Sequence, residues 1–257
     1  MERKRHAKYH PKFNMRFVHH RRRVILGVFL LVVLLTMAGV WFFQNQQRGA
    51  RLALAPYPVR GCVIDQEDGT IDFRSLEKQK IKFVYLNATT GATYFDDSFN
   101  TNYNRIQSTD LKVGIMHNFS FQKSAKAQLR FISQKVKSNT GQLPVAIQVN
   151  YYGDEDEDNV NWKKEGPELV DLVKLLANYY GQDVVIKTTP AIQKKIDQIY
   201  IKQSKFWIED TKIKKRNQRI QYVEYDADQK LKNDRDTIEL PVSYFNGSQK
   251  NWNEKTY

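Results

Sequence analysis

Eight short apolar runs constrain this chain more than any other feature. They are Cys62–Ile64, Ile81–Leu86, Val113–Met116, Val145–Val149, Val184–Ile186, Phe206–Ile208, Ile220–Val223 and Val242–Phe245. Each reads as a strand candidate. The stretches between several of them change to helical periodicity. Ala125, Leu129, Ile132 and Val136 form one stripe behind Ser124, a capping residue. Leu169, Leu172, Val173, Leu176 and Tyr180 form a second, with Pro167 as its expected start and Gly181 as its stop. Pro190 opens a third with Ile192, Ile196 and Ile199. Strands with helices in the first five gaps predict an α/β fold, an irregular eight-stranded (β/α) TIM-like barrel. Its functional site would lie at the C-terminal ends of the strands. A doubly wound open sheet is the alternative. No internal repeat and no Gly-rich phosphate loop is present.

Ahead of the strands, Val24 to Phe43 runs without a charge. At about 1.5 Å per residue it is long enough to cross the hydrocarbon core of a bilayer. Residues 1–23 hold nine Lys or Arg against the single acid Glu2, with Arg21-Arg22-Arg23 at the edge of the run. The positive-inside rule then predicts a cytoplasmic N-terminus and everything after Phe43 outside. A cleaved signal peptide is the rival reading, but the run is long for one. The nearest Ala-x-Ala, Ala53-Leu54-Ala55, lies well beyond it and is followed by Pro56. The expected organisation is therefore a basic tail (1–23), a transmembrane helix (24–43), a polar stalk (44–58) and a barrel domain (59–257).

The tail supplies +8 of the net charge of +13, leaving +5 for the remainder. The basic block thus serves topology and anionic lipid, and nucleic acid is not an expected partner. Cys62 is the only cysteine, so no intrachain disulfide can form. A disulfide-free domain facing outward suits the surface of a Gram-positive bacterium. Cys62 itself reads as a small buried residue. The acidic run Asp154-Glu155-Asp156-Glu157-Asp158 lacks the glycine and ligand rhythm of a calcium loop and reads as solvated. No metal and no cofactor is expected.

The richest segment is Leu143-Pro144-Val145-Ala146-Ile147-Gln148-Val149-Asn150-Tyr151-Tyr152-Gly153-Asp154. Gln148 and Asn150 lie two residues apart at a strand end, and so on one face. An Asp-x-Glu there would aim two carboxylates into one site, as glycoside hydrolysis requires. Further motifs point the same way. They include Gly69-Thr70-Ile71-Asp72-Phe73, Ile81-Lys82-Phe83-Val84, Ala88-Thr89-Thr90-Gly91-Ala92-Thr93-Tyr94 and Leu111-Lys112-Val113-Gly114 with His117. Later come Phe206-Trp207-Ile208 and Phe245-Asn246-Gly247. In order and spacing, from about Val59 to Ser248, these resemble glycoside hydrolase family 25, the Chalaropsis-type lysozymes or N-acetylmuramidases. The resemblance implies an irregular eight-stranded barrel that cleaves peptidoglycan after N-acetylmuramic acid.

The departures from that family's pattern fall on its catalytic positions. The strand-one Asp falls on Val63, the Asp-x-Glu on Gln148 and Asn150, and the last-strand Asp on Pro241. The loop Glu is Thr90, and the family's Trp-Gln-Tyr reads Val223-Glu224-Tyr225. An amide releases no proton near neutral pH, and losing general acid catalysis costs on the order of 10²–10⁴ in rate. Displaced acids are the escape: Asp65, which a two-residue slip places on the same strand face as Val63; Glu224; or a residue of 154–158. The expected glycan-binding cleft comprises Gln148, Asn150, Tyr151, Tyr152, His117, Trp207 and Tyr225. The amides would bond sugar hydroxyls and acetamides, and the rings would stack on sugars or pack in the core.

Three functions follow as expectations. The first is a membrane-anchored pseudo-glycosidase that binds peptidoglycan strands. The second is an active muramidase using displaced acids, and the third is a scaffold for a cell-wall protein partner.

Overall fold

The structure is a computed structural model, described for residues 15–153, 155–199, 204–214 and 216–255. The chain divides into two compact units, residues 1–52 and 53–257. In the first, a single helix α1 (Met15–Leu54) contains the apolar stretch Val24–Phe42, whose mean hydropathy is 2.7 and none of which is buried. The helix does not end with the apolar run. The residues expected to form a stalk continue it to Leu54, and Tyr57 already belongs to the second unit's core, stacked on Tyr244 at 4.5 Å between ring centroids. The barrel unit thus begins a few residues earlier than expected, because an aromatic so close to a core is buried rather than left as linker.

The second unit is a closed barrel. In chain order its elements are β1 (Arg60–Ile64), α2 (Phe73–Lys78), β2 (Ile81–Thr90), a two-residue strand β3 (Tyr94–Phe95) and α3 (Phe99–Ile106). Next come β4 (Lys112–Asn118), α4 (Ala125–Val136), β5 (Val145–Gln148), α5 (Trp162–Tyr180), β6 (Val184–Thr188) and α6 (Pro190–Ile199). The chain closes with β7 (Lys205–Glu209), β8 (Ile220–Asn233), β9 (Asp236–Phe245) and α7 (Gln249–Glu254). The sheet order β1-β9-β8-β7-β6-β5-β4-β2 is completed by a parallel pairing of β1 with β2. Closure decides against the open doubly wound sheet. β9 runs antiparallel to both neighbours, so the last quarter of the barrel is a hairpin without a crossover helix. That hairpin extends beyond the barrel wall and lies on α2, where Asn233 Oδ1 accepts from Asp72 N (2.6 Å) and Lys232 bonds Gln79.

Alternation along the strands separates two cores. Cys62, Ile64, Val84, Leu86, Val113, Ile115, Ile147, Ile186, Phe206, Ile208 and Val242 face outward and pack under the helices. Phe83, Tyr85, Met116, Ala146, Val185, Trp207, Tyr222 and Phe245 face inward and fill the barrel. Large and small residues interlock there: Phe83 pairs in register with Gly61 and Tyr85 with Gly114, and a Cβ on either glycine would strike the facing ring. Trp252 of α7 packs on Phe83 and Phe245 as part of the same core.

α4 and α6 lie where the periodicity places them. α5 starts at Trp162 rather than at Pro167, which sits in its second turn. So early in a helix a proline forfeits one backbone bond, and burial of Trp162 on Phe121 (5.3 Å) holds the added turn. Gly181 ends the helix in the left-handed conformation at φ 64°.

Candidate functional site

Beyond the ring-packed interior, the inward-facing positions at the C-terminal ends of the strands turn polar. β5 delivers Gln148 and, two residues on, Asn150. β6 delivers Lys187, β7 Glu209 and β8 Glu224. Lys187 is buried and central. Its Nζ lies 3.2 Å from Glu209 Oε1, 3.0 Å from Glu224 Oε2 and 3.2 Å from Gln148 Oε1, and 5.6 Å from the centroid of the Trp207 ring. Asn150 Nδ2 donates to the same Glu209 Oε1 (3.1 Å), and Gln148 Nε2 donates to the hydroxyl of Tyr152 (2.7 Å). Around the rim, Asn118 Nδ2 donates to Asn87 Oδ1 and Thr90 Oγ1.

The electrostatics follow from this geometry. Burial works against the Lys187 charge, but the Glu224 and Glu209 carboxylates outweigh it and hold the ammonium above its ordinary range. Glu224 is held above the usual carboxylate range, first by burial and further by Glu209 and Asp226, with Lys187 pulling the other way. One ammonium shared by two carboxylates cannot fully compensate the more deeply buried of them.

Of the residues expected in the cleft, the structure brings together Gln148, Asn150, Tyr152 and Glu224. Four others lie elsewhere: strand alternation turns His117 to the opposite face, Tyr151 and Tyr225 pack outside the mouth, and Trp207 faces inward but lies deeper, beneath Lys187. His117 is fully buried on the helix side, between Thr89 Oγ1 (2.8 Å from Nδ1) and Gln128 Oε1 (3.0 Å from Nε2). Gln128 presents an oxygen that only accepts, so the proton sits on Nε2 and the ring is neutral. Burial pushes its pKa down to about 4. Trp207 is fully buried inside the barrel and donates to Ser243 Oγ (2.9 Å), leaving no face for a sugar. Tyr151 packs on Phe121 and accepts from Trp162 Nε1, and Tyr225 lies against Tyr244 with its hydroxyl on Gln229.

Val63 packs with the barrel-interior core. The β1–β9 ladder ends at Cys62–Val242, one step before Val63 and Pro241 would pair. Pro241 has no N–H to donate and falls where the β8–β9 register slips, a place in a sheet that tolerates proline. Asp65 does not enter the mouth as a free carboxylate. It caps the short helical turn 66–68, accepting from Glu67 N (2.8 Å). In the acidic run, Asp156 accepts from the backbone of Asp158 and Asn159, and Glu157 pairs with Lys195. Among the described residues, no group of three or more His, Cys, Asp or Glu could hold a metal ion.

Two central residues, Lys187 and Glu209, escaped the sequence reading. The signal was present: a lysine inside the apolar run Val184-Val185-Ile186-Lys187-Thr188, in phase with the inward-facing Val185, has no cheap place in a barrel without acidic partners.

The model of glycosyl hydrolases family 25 matches residues 64–230, well over half of the chain. An autolytic lysozyme from Clostridium acetobutylicum is 30% identical over 59 residues, a stretch that is 23% of this chain and only 18% of that protein. Among solved structures, a family 25 glycosyl hydrolase from Bacillus anthracis superimposes with a TM-score of 0.69 at 24% identity, covering 79% of this chain and 95% of that one. A bacterial lysozyme from Streptomyces coelicolor gives 0.65 at 19% identity, over 75% and 94%. With the barrel closed as that fold requires and the family match spanning most of it, the chain belongs to glycosyl hydrolases family 25.

Proposed function

We propose that this is a membrane-anchored, muramidase-like domain that engages peptidoglycan glycan strands at the barrel mouth without hydrolysing them. The observation that carries the reading is the Lys187 ammonium seated between Glu209 and Glu224, beside amides at the two positions matching the family's Asp-x-Glu. Retaining glycosidases place an anomeric carbon between carboxyl groups about 5–5.5 Å apart. Here Glu209 Oε1 and Glu224 Oε2 both lie within 3.2 Å of one nitrogen, so no more than about 6 Å apart, and the lysine head fills the gap a sugar would need. Gln148 and Asn150 keep the hydrogen-bonding shape of carboxylates without their proton chemistry. The apolar helix and the basic residues before it support an anchor with the N-terminus cytoplasmic and the barrel outside a Gram-positive cell membrane.

The pair of carboxylates flanking Lys187 leaves a second reading, a muramidase with displaced acids in which Lys187 moves aside and Glu224, its pKa raised by burial, donates the proton. Digestion of purified peptidoglycan by the full chain in mild detergent separates the two. The binding reading expects sedimentation with the polymer and no release of reducing ends. Release at a rate near that of an ordinary muramidase, lost in Glu224→Gln, would establish the second. Gln148→Asp with Asn150→Glu should gain little, because Val63 and Pro241 still lack acids and such groups act as a unit. If Gln148→Ala with Asn150→Ala leaves glycan affinity untouched, the barrel is a scaffold for a wall protein instead. Protease added to protoplasts should remove the barrel; its protection would sink the proposed topology.

A further inference from the structure

We infer that the end of the barrel opposite the mouth seats on anionic phospholipid, which turns the mouth away from the bilayer. The inference rests on the membrane-anchored reading and adds to it a contact between lipid headgroups and the barrel itself.

Charge is segregated between the two ends. At the mouth end, the segments joining β1 to α2, β2 to α3 and β5 to α5 contain acids and no cation. Asp65, Glu67 and Asp68 lie in the first, Asp96 and Asp97 in the second, and the acidic run in the third. At the opposite end, where the parallel strands begin, the sign reverses. Lys78, Lys80 and Lys82 surround the turn from α2 into β2, and Lys137 opens the turn from α4 into β5. Lys250 and Lys255 lie on α7 and just after it, and all six lysines are exposed. α7 belongs to this end because β9 runs antiparallel to β1, and Trp252 closes the barrel floor against Phe83 and Phe245. The cations crowd one another here. Burial, and then Lys205 at the start of β7, hold the Lys255 ammonium below its ordinary range, with Asp183 pulling the other way. Acids occur at this end but are scattered: Glu77, Asp110, Asp183 and Glu254 lie on four separate segments, and Glu254 pairs with Lys250 (3.6 Å).

The backbone carries a second, independent sign. Lys80 (φ 67°) and Lys137 (φ 55°) stand beside helix ends in a conformation that favours glycine. Gly181 fills the corresponding place after α5 (φ 64°). The helix dipole does not account for the two lysines, because Lys78 and Lys135 already complement it from the last turns of α2 and α4. A cation held in glycine's place at two turns of one end serves something outside the fold. The chain also enters the barrel at this end, at Arg60, shortly after α1 finishes at Leu54. Along the chain, then, the basic end is the one nearest the anchor. Tethering makes a weak attraction per lysine sufficient to seat it.

The test is lysine footprinting of the full chain in vesicles of phosphatidylcholine, alone or with about 30% phosphatidylglycerol. A membrane-impermeant acylating reagent is applied, and its adducts are read by mass spectrometry. Reactivity at Lys80, Lys137 and Lys255 is taken relative to Lys123 and Lys212 at the mouth end, so that orientation in the vesicle cancels. The ratio should fall at least about threefold on the anionic vesicles and recover at about 0.5 M salt. Lys80→Gly with Lys137→Gly should fold, since glycine accepts both torsions freely, and should lose most of the contrast that remains at Lys255. An equal ratio in the two vesicles overturns the inference; if soluble polyglycerol phosphate lowers it on the neutral ones, the face belongs to a soluble polyanion instead. Full contrast retained in the double-glycine variant overturns it too. Failure of the chain to float with either vesicle removes the anchored reading itself.

Discussion

Two buried polar clusters at the C-terminal ends of the strands obey opposite rules. His117 and Lys187 are both almost fully buried, yet His117 faces the helices and Lys187 the barrel mouth. The His117 cluster is closed and neutral: Thr89 and Gln128 satisfy both ring nitrogens, and Gln128 spends its own amide on the backbone of Ser120 and Lys123. The Lys187 cluster is ionic, with Asn150 Oδ1 and Glu224 Oε2 lacking a hydrogen-bond partner and an exposed tyrosine at its edge. Burial of a polar residue is thus no sign of function by itself. A network that balances its own donors and acceptors holds the fold together, whereas one that leaves buried acceptors unpaired costs stability.

The largest expected effect breaks the ionic cluster. Lys187→Met leaves two carboxylates facing each other with no cation and should cost about 3–5 kcal/mol in urea denaturation at neutral pH. The loss should shrink on acidification, as the carboxylates take up protons, and Glu209→Gln with Glu224→Gln in the same background should recover most of it. A change below about 1 kcal/mol would place the ammonium in solvent rather than at the centre of the site.

The closed cluster should show itself through pH. His117 titrates near 4 in the folded chain and near its ordinary value when unfolded, so the unfolded state takes up the extra proton between the two. The stabilising contribution is complete above about pH 6.5 and lost as pH falls towards 4, a difference of about 3 kcal/mol. Glu224 contributes in the opposite sense, since a carboxyl held above its ordinary range loses stability as pH rises through its titration. Stability measured across this window should flatten in His117→Gln, and an unchanged slope would mean that the ring is not buried neutral.

The smallest effect calibrates both. Asp72 caps α2 by accepting from Arg74 N and Ser75 N, far in kind from either cluster. Asp72→Ala should cost about 1 kcal/mol with no change in glycan binding.

Much of this molecule is legible in the chain. Seven of the eight apolar runs lie within strands and the eighth, Val145–Val149, passes the end of its strand by one residue, because a strand buried on both faces is continuously apolar. Ser124, Pro190 and Gly181 punctuate helices as their chemistry requires. Gln148 and Asn150 are found at one mouth because a period of two is a property of the strand itself. The long hairpin of β8 and β9 was not legible, since exposed alternating charges such as those of 226–239 resemble a loop until a partner strand pairs with them.

What the sequence determined by itself is local: which runs form strands, which stretches form helices, and which side chains share a face. Tertiary structure alone decided which face points where. His117, Trp207, Tyr151 and Tyr225 left the expected cleft because their faces turned toward one core or the other. Lys187 and Glu209 entered it because the parallel pairing of β6, β7 and β8 set their C-terminal ends at a common mouth. Their pairing is a contact between residues distant in sequence. No spacing encodes it, and only the shared inward direction of three strands, with the cost of burying an unpaired charge, makes it necessary.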